Sequence, residues 1–107
     1  MKIVPDYHRR ELLARLEASD ELADVSISRL KAKLEWGISV PGDDAHVMYV
    51  WFDSLLSMLG ENSNGDAVGG ARWPAHAHVI GKDIAWFYGV LWPVMLMSLK
   101  LELPKLL

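Results

Sequence analysis

The chain has 107 residues, no cysteine and a formal net charge of −3. That length holds one small domain with one core. The lack of cysteine excludes disulfide frameworks and thiolate zinc sites, and the lack of a basic excess removes any global field for nucleic acid. Hydrophobic residues make up 51%, with five tryptophans in the chain, so some apolar surface is expected to be covered by further protein.

Residues 1–5 are too short an apolar stretch for a secretory signal. Pro5-Asp6 opens a helix with Asp6 as N-cap. Leu12, Leu13 and Leu16 form its apolar face, Arg9, Arg10, Glu11 and Arg15 its solvated one, and it ends near Ser19-Asp20. Residues 24–29 alternate apolar and polar, an extended pattern. Residues 38–44 read as a strand end running into a Pro41-Gly42 turn. Residues 46–51 are a near-continuous apolar run, as in a parallel strand buried on both faces. Asp53 follows it into a helix carrying Leu55, Leu56, Met58 and Leu59.

Residues 60–71 are a glycine- and asparagine-rich loop. A second strand covers residues 77–80. After a turn at Gly81, a helix runs from about Asp83 to Leu99, and Pro93 should kink it. Residues 101–107 approach a third strand. The uncharged run from Ile84 to Leu99 is about 24 Å long as a helix, short of the roughly 30 Å hydrocarbon core, so no membrane span is expected. Right-handed crossovers would make the three strands parallel. The expected fold is α/β: half of a doubly wound, Rossmann-type parallel sheet with flanking helices. Residues 1–44 form a helix and connective segment, and residues 45–107 the half-sheet, in a single partial domain.

The generic motifs fail. Gly81-Lys82 is not a phosphate-binding loop, because His76 and Asp83 stand where that loop needs glycine and Ser/Thr. His76 and His78 share a strand face, but no third metal ligand is evident. No Gly-x-Ser-x-Gly elbow occurs. What stands out is one design used twice, an apolar strand, then aromatic and acidic residues, then a helix: Trp51-Phe52-Asp53, and Asp83 with Trp86, Phe87, Tyr88 and Trp92. By themselves, Trp51 fits a core residue, Asp53 a helix cap, and Asp83 an acid favoured at a helix N-terminus.

Ser26-Ile27-Ser28-Arg29, Trp36-Gly37-Ile38, Val40-Pro41-Gly42-Asp43, residues 46–53, residues 78–84 and Trp92-Pro93 occur in an order and at spacings that resemble the methionyl-tRNA synthetases. These are class I aminoacyl-tRNA synthetases, and the resemblance covers residues 4–107. It corresponds to the second half of the Rossmann catalytic domain. The resemblance implies activation of methionine by ATP, with Mg as the nucleotide's companion, and transfer to tRNA in the cytoplasm or an organellar matrix. It implies a methionine pocket at Trp51, Ser54, Met58, Ile84, Tyr88 and Trp92, ribose contacts at Gly81 and Asp83, and Arg29 near the catalytic centre. Aromatic and aliphatic walls suit a polarisable thioether, and a carboxylate suits two ribose hydroxyls.

Two departures accompany it. The family's His-x-Gly-His and Lys-Met-Ser-Lys-Ser motifs are absent from these residues, so the missing half of the catalytic domain is an expected partner. Ser54, Met58 and Tyr88 replace the family's alanine, tyrosine and histidine. A degenerate paralogue that binds nucleotide, amino acid or tRNA without catalysis, and an interaction module without ligand, are the alternatives.

Overall fold

The computed structural model describes residues 1–18, 23–60 and 73–107. The expected helix end at residues 19–20 and most of the expected loop, residues 61–71, lie outside them. The chain forms two compact units, one of Met1–Leu22 with Leu59–Leu107, the other of Ala23–Met58.

In the first unit, α1 spans Asp6–Glu17 and buries Leu12. Its cap is Pro5, not Asp6, with no side-chain capping bond. Proline's fixed φ suits the extended entry, and Asp6 is the first helical residue. Its carboxylate lies 3.6 Å from Arg9 Nε and 3.3 Å from Arg10 Nε, exposed pairs worth about 0–1 kcal/mol each.

Three short segments meet around Leu106, which bridges Lys2 and Ala77 in parallel. Lys2 N–H donates to Lys105 O (2.9 Å), Leu107 N–H to Lys2 O (2.8 Å) and Val4 N–H to Leu107 O (2.7 Å). On the other flank, Lys105 N–H donates to Ala75 O (3.1 Å) and His78 N–H to Leu106 O (3.0 Å). The second and third expected strands therefore meet in parallel, as isolated bridges.

The long helix expected after Gly81 is built in three parts: a 3-10 turn (Lys82–Ile84), a π-helical stretch (Phe87–Leu91) and α3 (Trp92–Ser98). The helix widens ahead of Pro93. Proline has no N–H, and in an α-helix its ring would crowd the carbonyl four residues back, at Gly89. Widening lets Trp92 N–H donate five residues back, to Phe87 O.

Beyond α3, Lys100 takes φ 57°. Lys100 N–H donates to Met97 O (3.0 Å) and Leu101 N–H to Leu96 O (2.9 Å), the bond pair of a Schellman cap. Glycine is the usual occupant of that left-handed position, because any Cβ is strained there. Lys100→Gly is expected to stabilise the chain by about 0.5–1 kcal/mol, read as a higher urea midpoint with unchanged slope.

In the second unit, β1 (Ser28–Leu30), β2 (Ser39–Val40) and β3 (Asp43–Met48) form an antiparallel sheet in the order β1-β3-β2. Ser28 faces Met48, Arg29 faces Val47 and Leu30 faces His46. This corrects the expectation of a parallel strand at residues 46–51. Pro41-Gly42 joins Val40 directly to Asp43, with Gly42 at φ +79°. So tight a turn reverses the chain, whereas a parallel partner needs a crossover of a dozen or more residues.

Strand β3 also ends before Trp51, because α2 begins at Val50 and runs to Ser57. Val47 is the buried residue of β3. It lies against Gly37, at φ +149°, where a Cβ would sit 3.1 Å from Val47 Cβ, so this approach needs glycine. Within the turn, Asp43 Oδ1 accepts from Ala45 N–H (2.9 Å), and Asp43 Oδ2 lies 2.7 Å from His46 Nδ1. These contacts, the Ala45 bond foremost, hold the Asp43 carboxyl below its ordinary range. Among the described residues, no helix is long and apolar enough to cross a membrane.

Candidate functional site

The chemistry of the first unit gathers where residues 73–81 turn into the three-part helix. Gly81 is extended (φ −74°, ψ 150°) and caps the 3-10 turn, with Ile84 N–H donating to Gly81 O at 3.2 Å. Lys82, Asp83 and Ile84 are exposed on that turn. Among the described residues, the Asp83 carboxylate has no hydrogen bond or ion pair. It is thus an acceptor available to hydroxyl donors.

Behind the turn stands an aromatic cluster. Tyr88 meets the His78 ring at 5.6 Å between centroids, and Trp73 meets His78 at 6.1 Å. Trp73 packs edge-on against Trp92 at 5.7 Å and 79°, and its indole N–H donates to Glu102 O at 2.9 Å. Trp92 is fully buried. Among the described residues, two buried nitrogens in the cluster have no hydrogen-bond partner, His78 Nε2 and Trp92 Nε1. Each such group costs about 1–3 kcal/mol unless something satisfies it. Burial lowers the His78 pKa below the usual imidazole value.

A cleft of about 270 Å³ adjoins the cluster where the parallel segments end, between Val4, His8, His78, Val79, Gly81 and Leu107. Lys82 also lines it, but Asp83, Ile84, Tyr88 and Trp92 do not.

In the second unit, Trp51 is half-buried in the first turn of α2. Its indole N–H donates to Ser26 O (3.0 Å), and its ring meets Phe52 edge-on at 5.8 Å. Ser54 is exposed, and Met58 is the helix C-cap, partly buried. The Arg29 guanidinium lies 3.8 Å above the Tyr49 ring, with Nη1 donating to Ser26 Oγ (2.9 Å) and Ser28 O (3.1 Å). Arg29 is thereby aimed by its own unit.

The structure thus gathers Gly81, Asp83 and Ile84 on one turn and places Tyr88 and Trp92 in one cluster. It places Trp51 and Ser54 on α2, Met58 at its end and Arg29 on β1. Trp73 escapes the sequence reading. It stands alone between a glycine-rich run and Pro74, with no periodic partner; only its rarity as a residue type marks it. His78 is visible in the sequence as a candidate metal ligand, yet the described residues hold no group of three or more His, Asp or Glu able to grip a metal.

Residues 8–107 match the sequence model of the family described as tRNA synthetases class I (M). The chain is 47% identical over 106 residues to the methionine–tRNA ligase of Brucella suis, covering 96% of this chain and 20% of that protein. It is 42% identical over 102 residues to the mitochondrial methionine–tRNA ligase of Mus musculus, covering 95% of this chain and 17% of that one. Among solved structures, Mycobacterium tuberculosis methionyl-tRNA synthetase in complex with methionyl-adenylate superposes with a TM-score of 0.81 at 40% identity, over 98% of this chain and 20% of that one. Its apo form gives 0.79 at 40% identity, over 97% and 21%. The chain spans about one fifth of the length of these proteins.

Proposed function

We propose a function from one premise: the chain belongs to the class I tRNA synthetases of the methionyl type. It contributes the methionine and adenosine side of an ATP-dependent methionine–tRNA ligase, whose reaction is amino-acid activation followed by transfer to tRNA. The observation that carries this reading is the likeness, at 40% identity over 98% of the chain, to a protein solved with methionyl-adenylate.

Within the first unit, Gly81 gives the ribose close backbone approach, and Asp83 accepts from its hydroxyls. Ile84 and Tyr88 receive the methionine side chain, with Trp92, fully buried against Trp73, backing them from the core. Trp51, Ser54 and Met58 are methionine-recognition residues on the second unit, and Arg29, held over Tyr49, is its catalytic cation. ATP enters with Mg as co-substrate. The parallel bridges at Lys2, Ala77 and Leu106 belong to a Rossmann-type sheet. The remaining half of the catalytic domain is the chain's partner, and the setting is the cytoplasm or an organellar matrix.

A stable methionyl-adenylate analogue titrated calorimetrically into the 107-residue chain tests the reading. Binding is expected, and Asp83→Ala should weaken it about tenfold or more, the loss of charge-assisted hydrogen bonds worth about 1.5–3 kcal/mol. ATP–pyrophosphate exchange by the chain alone is expected to be undetectable, since the cationic groups that steady the transferring phosphates stand in the two motifs these residues lack. Equal affinity of wild type and Asp83→Ala would sink the ribose assignment. Binding of adenosine without any contribution from methionine would favour a nucleotide-binding paralogue.

A further inference from the structure

We propose that His78 is a pH-operated latch: its neutral imidazole keeps the aromatic cluster of Trp73 and Tyr88 closed, and its imidazolium opens it. The inference goes beyond the ligase reading and does not depend on it. The ring neighbours Trp73 and Tyr88, at 6.1 Å and 5.6 Å between centroids, with Nε2 buried and, among the described residues, unpartnered. In the neutral form that nitrogen can carry a bare lone pair, tolerable among ring faces and edges. Protonation turns it into a charged N–H with no acceptor, the costlier state at a buried atom, although the residue also lines the adjoining cleft.

Compensation is scarce. No carboxylate lies within ion-pair distance of His78 among the described residues. The titratable and charged groups on the surrounding elements are the Tyr88 phenol, His8 and Lys82 on the walls of the adjoining cleft, His76 two residues earlier, and Lys105 and Glu102 on the neighbouring segment. Glu102 enters only through its carbonyl, which Trp73 already occupies. The ring faces of Trp73 and Tyr88 offer a cation–π attraction of about 0.5–2 kcal/mol, but at these tilted geometries it opposes desolvation without cancelling it. Burial alone moves His78 toward the neutral form, below its usual value of 6.5.

The linkage sign follows. The unfolded imidazole titrates near 6.5 and the folded one lower, so the unfolded state binds more protons between the two values. Stability is therefore full above the unfolded value and falls as pH drops toward and through the folded one. Because His78 N–H holds the segment to Leu106 O and the chain reaches Gly81 three residues later, the displaced ring loosens the entry to the helix.

NMR titration of the His78 ring in the intact chain, from pH 8 to pH 5, tests the latch beside near-ultraviolet circular dichroism of the cluster. His78 should titrate below the ordinary imidazole range, with the aromatic signal lost over the same interval. His78→Phe should keep that signal to pH 5, while His46→Gln should lose it as the wild type does. Titration of His78 at or above the ordinary range, or an aromatic signal that persists through it, would overturn the proposal. So would a folded His78→Phe that loses its signal at the wild-type pH. If His78→Phe does not fold, the two wild-type measurements decide.

Discussion

Replacing Trp92 by alanine should unfold the first unit at room temperature. The side chain is 0% exposed, the largest of the fully buried ones, and it packs edge-on against Trp73. Truncating a buried tryptophan costs about 3–5 kcal/mol through lost transfer energy and the cavity left behind. A small domain has little more than about 5 kcal/mol in total. Trp92→Phe separates the components. It keeps most of the ring and the contact with Trp73 but removes the indole N–H that has no partner. Deleting an unsatisfied buried donor returns about 1–3 kcal/mol, offsetting much of the lost volume. The phenylalanine variant should therefore melt close to wild type. A cooperative transition in Trp92→Ala within a few degrees of wild type would show that Trp92 is not the centre of this core.

Gly89→Leu should lower stability by about 2–3 kcal/mol. A Cβ at Gly89 would stand 2.6 Å from Leu12 Cδ1, 3.4 Å from Leu107 Cδ2 and 3.8 Å from Ile3 Cδ1. Leu12 and Leu107 are themselves buried, so the side-chain ends that would have to yield have little room. Gly89→Ala is the milder case: replacing a helical glycine gains about 1 kcal/mol of propensity, which largely balances the single close contact. Denaturant midpoints for the two variants should differ by at least 1 kcal/mol equivalent. Indistinguishable midpoints would mean that α1 moves aside at no cost.

The contrast between these positions shows what the sequence discloses. The spacing of Leu12, Leu13 and Leu16 places α1, and Pro41-Gly42 places its turn, because period and turn chemistry are local properties. The same turn forces β2 and β3 antiparallel, yet the apolar run at residues 46–51 reads as a doubly buried parallel strand. Periodicity reports burial, not direction, and in a short apolar run it does not separate strand from the start of a helix. Pro93 announces a disturbance of the helix but not the π-helical widening that precedes it.

The family is legible through the ordered blocks of residues rather than through any one residue, and the candidate site rests on that likeness. Asp83 and Tyr88 carry no signal alone. The cluster that frames them needs Trp73 and His78, which approach Tyr88 and Trp92 only through the pairing of residues 75–78 with the chain's last residues. The exposed apolar side chains also fit the composition, with Val79 98% and Trp36 74% exposed.

The bridge between Lys2 and Leu106 fixes an order of assembly. The first unit is discontinuous, with residues 23–58 belonging to the other. Closing a span of about 100 residues costs roughly 4 kcal/mol of chain entropy before the contacts it brings are made. The inserted unit closes far shorter spans, such as the 25 residues from Ser26 to Trp51, so it can fold while the rest is still being synthesised. At about 5–20 residues per second, Lys2 waits roughly 5–20 s for Leu106 to be made. The segment around Lys2 thus leaves the ribosome well before its partner, and Ile3 and Val4 spend that interval as an apolar segment without a mate, the period in which a chaperone or a neighbouring nascent chain has its best chance of capturing them.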